Sequence, residues 1–159
     1  TLAQGLPVVL DGISMGCTTV LLATELDLPD QVKAVVADCG FTSAWEQIKH
    51  SIKSNMRLPA FPSLYLVSLF ARIFAGIRLR GCDTRKAMEK NTTVPVFFAT
   101  GTRDRVVPPE MTKQNYEACR APKMLLLTEA AHGMSYLAAK AEYEKQLEDF
   151  LEGCLKQID

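Results

Sequence analysis

The stretch LDGISMGCT (residues 10–18) follows the apolar run LPVVL (6–10) and leads into CTTVLLATEL (17–26). A β-branched run, a serine flanked by glycines two residues away on each side, and an apolar helical segment read as strand, sharp turn and helix. Such a turn forces the serine at its apex into a strained conformation, and glycines at 12 and 16 are expected because side chains there would collide with neighbouring backbone. Ser14 is therefore a candidate nucleophile. A serine hydroxyl is a poor nucleophile at neutral pH, so it needs an imidazole to take its proton and a carboxylate to fix that imidazole.

Working outward, three further apolar runs read as strands: VKAVVADCG (32–40), VPVFFATG (94–101) and PKMLLLTEA (122–130). All four are continuous rather than alternating, which is the pattern of a parallel sheet buried on both faces. Between them lie helical segments. Ser43 to Glu46 fits a capping box, opening a helix with Trp45, Ile48 and Ile52 on one face. LPAFP (58–62) ends it, and residues 63–79 form a strongly apolar helix. Asp83 or Thr84 caps a short helix through Lys90, and Pro108 and Pro109 suit the first turn of another through Cys119. Tyr143, Leu147, Phe150, Leu151 and Cys154 repeat at helical spacing in a long closing helix. The expected fold is α/β, a mostly parallel sheet with helices on both faces.

In such sheets functional residues gather after the carboxyl ends of the strands. Ser14 follows the first strand, Asp104 in GTRDRVVPPE the third, and His132 in AAHG the fourth. Asp38 also ends a strand and is the rival to Asp104 as the acid. The second histidine, His50, lies mid-helix beside Lys49 and Ser51 and reads as part of a solvated face.

Composition limits the alternatives. The 159 residues are 48% hydrophobic, with Lys plus Arg (18) balancing Asp plus Glu (18). That balance offers no overall basic field for nucleic acid. Five scattered cysteines without a C-x-x-C pair argue against a zinc site or a disulfide framework and for free thiols in a reducing cytoplasm. The longest apolar stretch, LYLVSLFARIFAGIRL (64–79), is too short to span a bilayer and is interrupted by Arg72. No signal-peptide pattern is visible, and the sequence starts at Thr1 without a methionine.

The motifs GISMG, GTRDRVVPPE and AAHG, in that order, resemble the C-terminal half of an α/β-hydrolase fold serine hydrolase. VVADCGFTSAWEQI is similar to the strand-six region of bacterial hydrolases of that superfamily, including those related to serine aminopeptidases. The resemblance implies Ser14 as nucleophile, Asp104 as acid, His132 as base, and the Met15 backbone N–H as an oxyanion donor. It implies a carboxylic ester or related acyl substrate, an acyl-enzyme route, and neither cofactor nor metal. Peptide or amide cleavage by the same residues is the alternative within enzymes.

It further implies that residues 45–80 are a helical cap segment within a partial α/β-hydrolase domain spanning 1–159. The apolar residues Phe61, Leu64, Tyr65, Leu66, Leu69, Phe70, Ile73 and Phe74 would line an acyl pocket or pack against the sheet or a partner. The family has eight strands and a second oxyanion donor in a loop that this sequence does not supply. Losing one such donor typically costs about 2.7–4 kcal/mol in the transition state. The chain alone is therefore expected to turn over weakly. A catalytically idle half-domain is the rival from another class. The edge at residues 6–10 would invite an antiparallel homodimer.

Overall fold

The apolar runs fold into four parallel strands, β1 (Val8–Ile13), β2 (Val32–Asp38), β3 (Val96–Gly101) and β4 (Lys123–Thr128), hydrogen-bonded in that order. The computed structural model describes residues 5–156, so the reading that concerns Thr1 lies outside the described residues. The helices are α1 (Met15–Ala23), α2 (Ala44–Ser54), α3 (Ala60–Ala75), α4 (Thr84–Lys90), α5 (Pro109–Ala118), α6 (Ser135–Ala138) and α7 (Lys140–Leu155).

Because successive side chains point to opposite faces of a strand, each central strand feeds two cores. Val35, Ala37, Val96 and Phe98 meet Cys17 and Leu21 of α1 and Ala87 and Met88 of α4. Ala34, Val36, Phe97 and Ala99 meet Tyr143 and Phe150 of α7. Phe97 and Phe98 are both fully buried, one on each face. This is why the runs are continuously apolar: every position in the middle of β2 and β3 is inside.

Two expectations about β1 are corrected. It starts at Val8 rather than Leu6, and it runs on through Asp11 and Gly12 to Ile13, where Gly12 pairs with Ala37 and Ile13 with Asp38. The turn was expected to begin at Gly12, but the parallel ladder to β2 continues through it. Nor is β1 buried on both faces. Among the described residues it pairs only with β2, and Leu6, Val9 and Ile13 are exposed.

Helix ends follow the capping signals. The Ser43 hydroxyl accepts from the Glu46 N–H at 3.2 Å. The reciprocal half of the box is not made: the Glu46 carboxylate bonds Lys49 at 3.3 Å instead. Asp83 caps α4 by accepting from the Arg85 N–H, and Pro109 occupies the first position of α5. Gly76, in the left-handed conformation (φ 68°), ends α3, which runs from Ala60 to Ala75 where hydropathy suggested 63–79: it starts within LPAFP and stops four residues sooner. No helix among the described residues is long and apolar enough to cross a membrane.

Candidate active site

Ser14 is the residue between β1 and α1, and its backbone is held at φ 56°, ψ −114°, outside the usual regions for an L-residue. Two bonds hold that conformation: the Ser14 N–H donates to Asp38 O at 2.8 Å, and the Thr18 N–H donates to Ser14 O at 3.1 Å. The Ser14 hydroxyl makes no capping bond to α1. Its position at a helix start would normally use it as a cap, and here it is left free for another partner. That partner is His132: Oγ lies 2.9 Å from Nε2.

Gly12 allows the turn to close. A Cβ there would overlap the Gly16 carbonyl and lie 2.6 Å from Cys17 N, all of it backbone. Gly12→Ala should therefore lower stability by about 1–3 kcal/mol, the usual cost of overpacking; denaturant melts of the variant and wild type check this. Gly16 is different. A Cβ at that position meets nothing within 4 Å among the described residues, so the crowding expected there is not found.

His132 sits in the loop between β4 and α6. Its neighbour Gly133 has φ 66°, and a Cβ on Gly101, at the end of β3, would strike the Ala130 carbonyl. The two loops are thus pressed together, and the Arg103 N–H donates to Ala130 O at 3.0 Å. Asp104 lies three residues beyond β3 with its side chain fully buried. Its Oδ1 accepts from the Val106 and Val107 N–H groups at 2.8 and 2.9 Å. Its Oδ2 lies 2.6 Å from His132 Nδ1. Ser14, His132 and Asp104 thus form one hydrogen-bonded line, with Nδ1–H donating to the carboxylate and Nε2 accepting from the hydroxyl.

Asp38 is placed elsewhere. It is 2% exposed and accepts from the Ser135 hydroxyl at 3.2 Å. Burial raises its carboxyl above the ordinary value, against the lowering effect of the Ser135 and Cys39 hydrogen bonds. Met15, first residue of α1, has a backbone N–H outside the helix's own ladder. Cys39, Asp104 and His132 also present ligand-type atoms within 4.8 Å of one another. Burial pushes the Cys39 thiol up to about 12, so with no metal bound it stays a thiol at neutral pH, and the Asp104–His132 bond engages the other two. Burial likewise holds the Cys17 thiol well above its ordinary value.

Two residues were missed in the sequence. His50 is half-buried, and besides facing solvent its ring makes a specific contact: Nε2 donates to Arg105 O at 3.1 Å. One turn earlier on α2, Gln47 Nε2 donates to Val106 O at 2.8 Å. Together they clamp the loop that carries Asp104. Their i, i+3 spacing was readable, but their acceptors are backbone carbonyls, which leave no trace in side-chain patterns.

A groove of about 440 Å³ adjoins the turns, lined on one side by Val9, Asp11 and Ile13 and on the other by Tyr136, Leu147 and Leu151. The apolar α3 residues are arranged otherwise. Leu64 is buried at 2%, while the other seven expected to line a pocket or pack are exposed, from 49% for Leu66 to 80% for Phe74.

Residues 12–135 match the family described as Serine hydrolase (FSH1). The uncharacterized protein YqkD of Bacillus subtilis is 32% identical over 142 residues, which are 89% of this chain and 46% of that protein. The chain thus spans about half the length of the curated relative it matches. The Pyrococcus furiosus esterase Pf2001 superposes with a TM-score of 0.66 at 21% identity, over 94% of this chain and 54% of the esterase. The Pyrococcus horikoshii acylaminoacyl peptidase superposes with a TM-score of 0.63 at 15% identity, over 92% of this chain and 23% of the peptidase. The fold is that of the α/β-hydrolase esterases and peptidases, and the chain belongs to the Serine hydrolase (FSH1) family.

Proposed function

We propose that the protein hydrolyses carboxylic esters or related acyl compounds through an acyl-enzyme, with Ser14 as nucleophile, His132 as general base and Asp104 as the group that orients it. The observation that carries this reading is the unbroken line Ser14 Oγ–His132–Asp104 at 2.9 and 2.6 Å. His132 Nε2 takes the hydroxyl proton as Oγ attacks the substrate carbonyl. The oxyanion develops beside the Met15 N–H at the positive end of α1. As the tetrahedral intermediate collapses, the C–O bond to the alcohol breaks and His132 returns the proton to the leaving oxygen. Water, deprotonated by the same nitrogen, then releases the acid.

A fluorophosphonate probe tests the assignment, because it traps an activated serine without needing a particular substrate. Covalent label on the peptide that contains Ser14, blocked by prior heat denaturation, is the expected result. Label elsewhere, or none, rejects it. The resemblance to an acylaminoacyl peptidase supports an amide substrate as the second reading. Rates on matched p-nitrophenyl esters and anilides separate the two, and the ester is expected to be faster.

Residues 45–80 act as a cap in this reading, and α2 reaches from it to the acid loop. Gln47→Ala removes one bond to that loop, worth about 1 kcal/mol. The expected result is a kcat about fivefold lower with KM unchanged, and steady-state kinetics measure both. The exposed edge of β1, with residues 6–10 at its start, would pair antiparallel with its copy in a homodimer. Light scattering at micromolar concentration decides it, and a stable monomer rejects it.

A further inference from the structure

Charge is neutral over the whole chain but not along it. From Gln47 to Cys82 there is no Asp or Glu, while Lys49, Lys53, Arg57, Arg72, Arg78 and Arg80 supply six cations. Lys49 pairs with Glu46, which lies just outside this segment, and Arg80 stacks over Trp45 at 3.8 Å. Among the described residues the other four make no salt bridge, and Lys53, Arg57, Arg72 and Arg78 are all exposed.

The helix α3 in the middle of this segment rests on α2 through a narrow stripe. Leu64 is buried and Ser68 and Ala71, one and two turns on, are half-buried. Helical spacing puts Leu66, Phe70 and Ile73 on the opposite side, where they are 49%, 54% and 62% exposed. Phe74 and, just past the end of the helix, Ile77 extend that surface at 80% and 54%. Scattered apolar residues are ordinary on a protein surface, but a contiguous stripe of this kind marks a contact.

We propose that α3 and its flanking cations dock the protein on an anionic lipid surface, with α3 lying in the plane of the interface. An interfacial helix needs an apolar face to enter the acyl boundary and cations to meet headgroup phosphates. This segment has both and carries no acid to oppose them. A second copy of the chain would bring the same cations against these, so like charges disfavour that occupant. Nucleic acid would satisfy the cations but leave Phe70, Ile73 and Phe74 without an apolar partner.

Lipid docking is independent of the hydrolytic reading, because binding is measured without turnover. The 159-residue chain is sedimented with phosphatidylcholine vesicles, with and without phosphatidylglycerol, at low and high salt. The expected result is binding at least about tenfold tighter to the anionic vesicles and weakened by salt. Replacing Arg72, Arg78 and Arg80 together by Ala should weaken binding by about 100-fold, at roughly fivefold for each basic residue. Phe70→Ser with Ile73→Ser should abolish it while the cations remain. All five side chains are exposed, and circular dichroism checks that the variants keep their fold. Equal binding to both kinds of vesicle, absence of binding, or salt-independent binding overturns the proposal. So does self-association through α3 without lipid. The wild-type protein alone distinguishes the vesicle outcomes, whether or not a variant folds.

Discussion

Ser14→Ala is expected to cut ester hydrolysis by about 10⁴–10⁶-fold and to end fluorophosphonate labelling, while leaving the fold in place. The large kinetic effect follows from the removal of the only group that can form the acyl-enzyme in the proposed route. The small structural effect follows from what Ser14 does not do. Its hydroxyl caps no helix, and among the described residues its one side-chain bond is the one to His132, so the change in stability should stay near about 1 kcal/mol. Alanine at φ 56° is strained much as serine is. No nearby thiol stands in for the lost nucleophile, because burial keeps Cys39 and Cys17 protonated at neutral pH. Turnover near the wild-type rate in Ser14→Ala would falsify the nucleophile assignment, and a melting curve run in parallel shows whether a loss is chemical or structural.

What the sequence made legible was periodicity and punctuation. The continuous apolar strands announced a two-sided parallel sheet, and the order of strand ends brought Ser14, Asp104 and His132 to one rim. Contacts to backbone were illegible. Nothing in LDGIS tells that Asp11 and Gly12 stay in the ladder, because the deciding partners are Val36 and Ala37 on β2. Nothing in the segment around His50 tells that its ring reaches Arg105 O. The glycine pair looked symmetrical, yet only Gly12 faces backbone too close for a Cβ. Whole-chain charge balance also hid the acid-free run from 47 to 82, since counting residues loses their order.

The choice between two acids was open for a similar reason: both Asp38 and Asp104 follow strands, and only side-chain direction distinguishes them. Asp104→Asn should lower kcat by about 10⁴-fold. The new amide oxygen would still accept from Val106 and Val107, as Asp104 Oδ1 does now. The amide nitrogen would then face His132 Nδ1 and, as a donor, force the proton onto Nε2. An Nε2–H can take no proton from Ser14, so the base is disabled without moving an atom far. Asp38→Asn should keep activity within about tenfold, because an amide oxygen still accepts from Ser135 and no bond to His132 is lost. Stability should move the other way. Burial raises the folded-state pKa of Asp38, so the folded protein binds this proton more tightly than the unfolded chain does. The carboxyl therefore lowers stability as pH rises from the ordinary carboxylate value through the raised one. Asp38→Asn should melt at the same or a higher temperature than wild type at neutral pH, and that advantage should fade below the ordinary carboxylate range. Kinetics and melting of the two variants across pH decide the matter. A large activity loss in Asp38→Asn with little in Asp104→Asn would reverse the assignment.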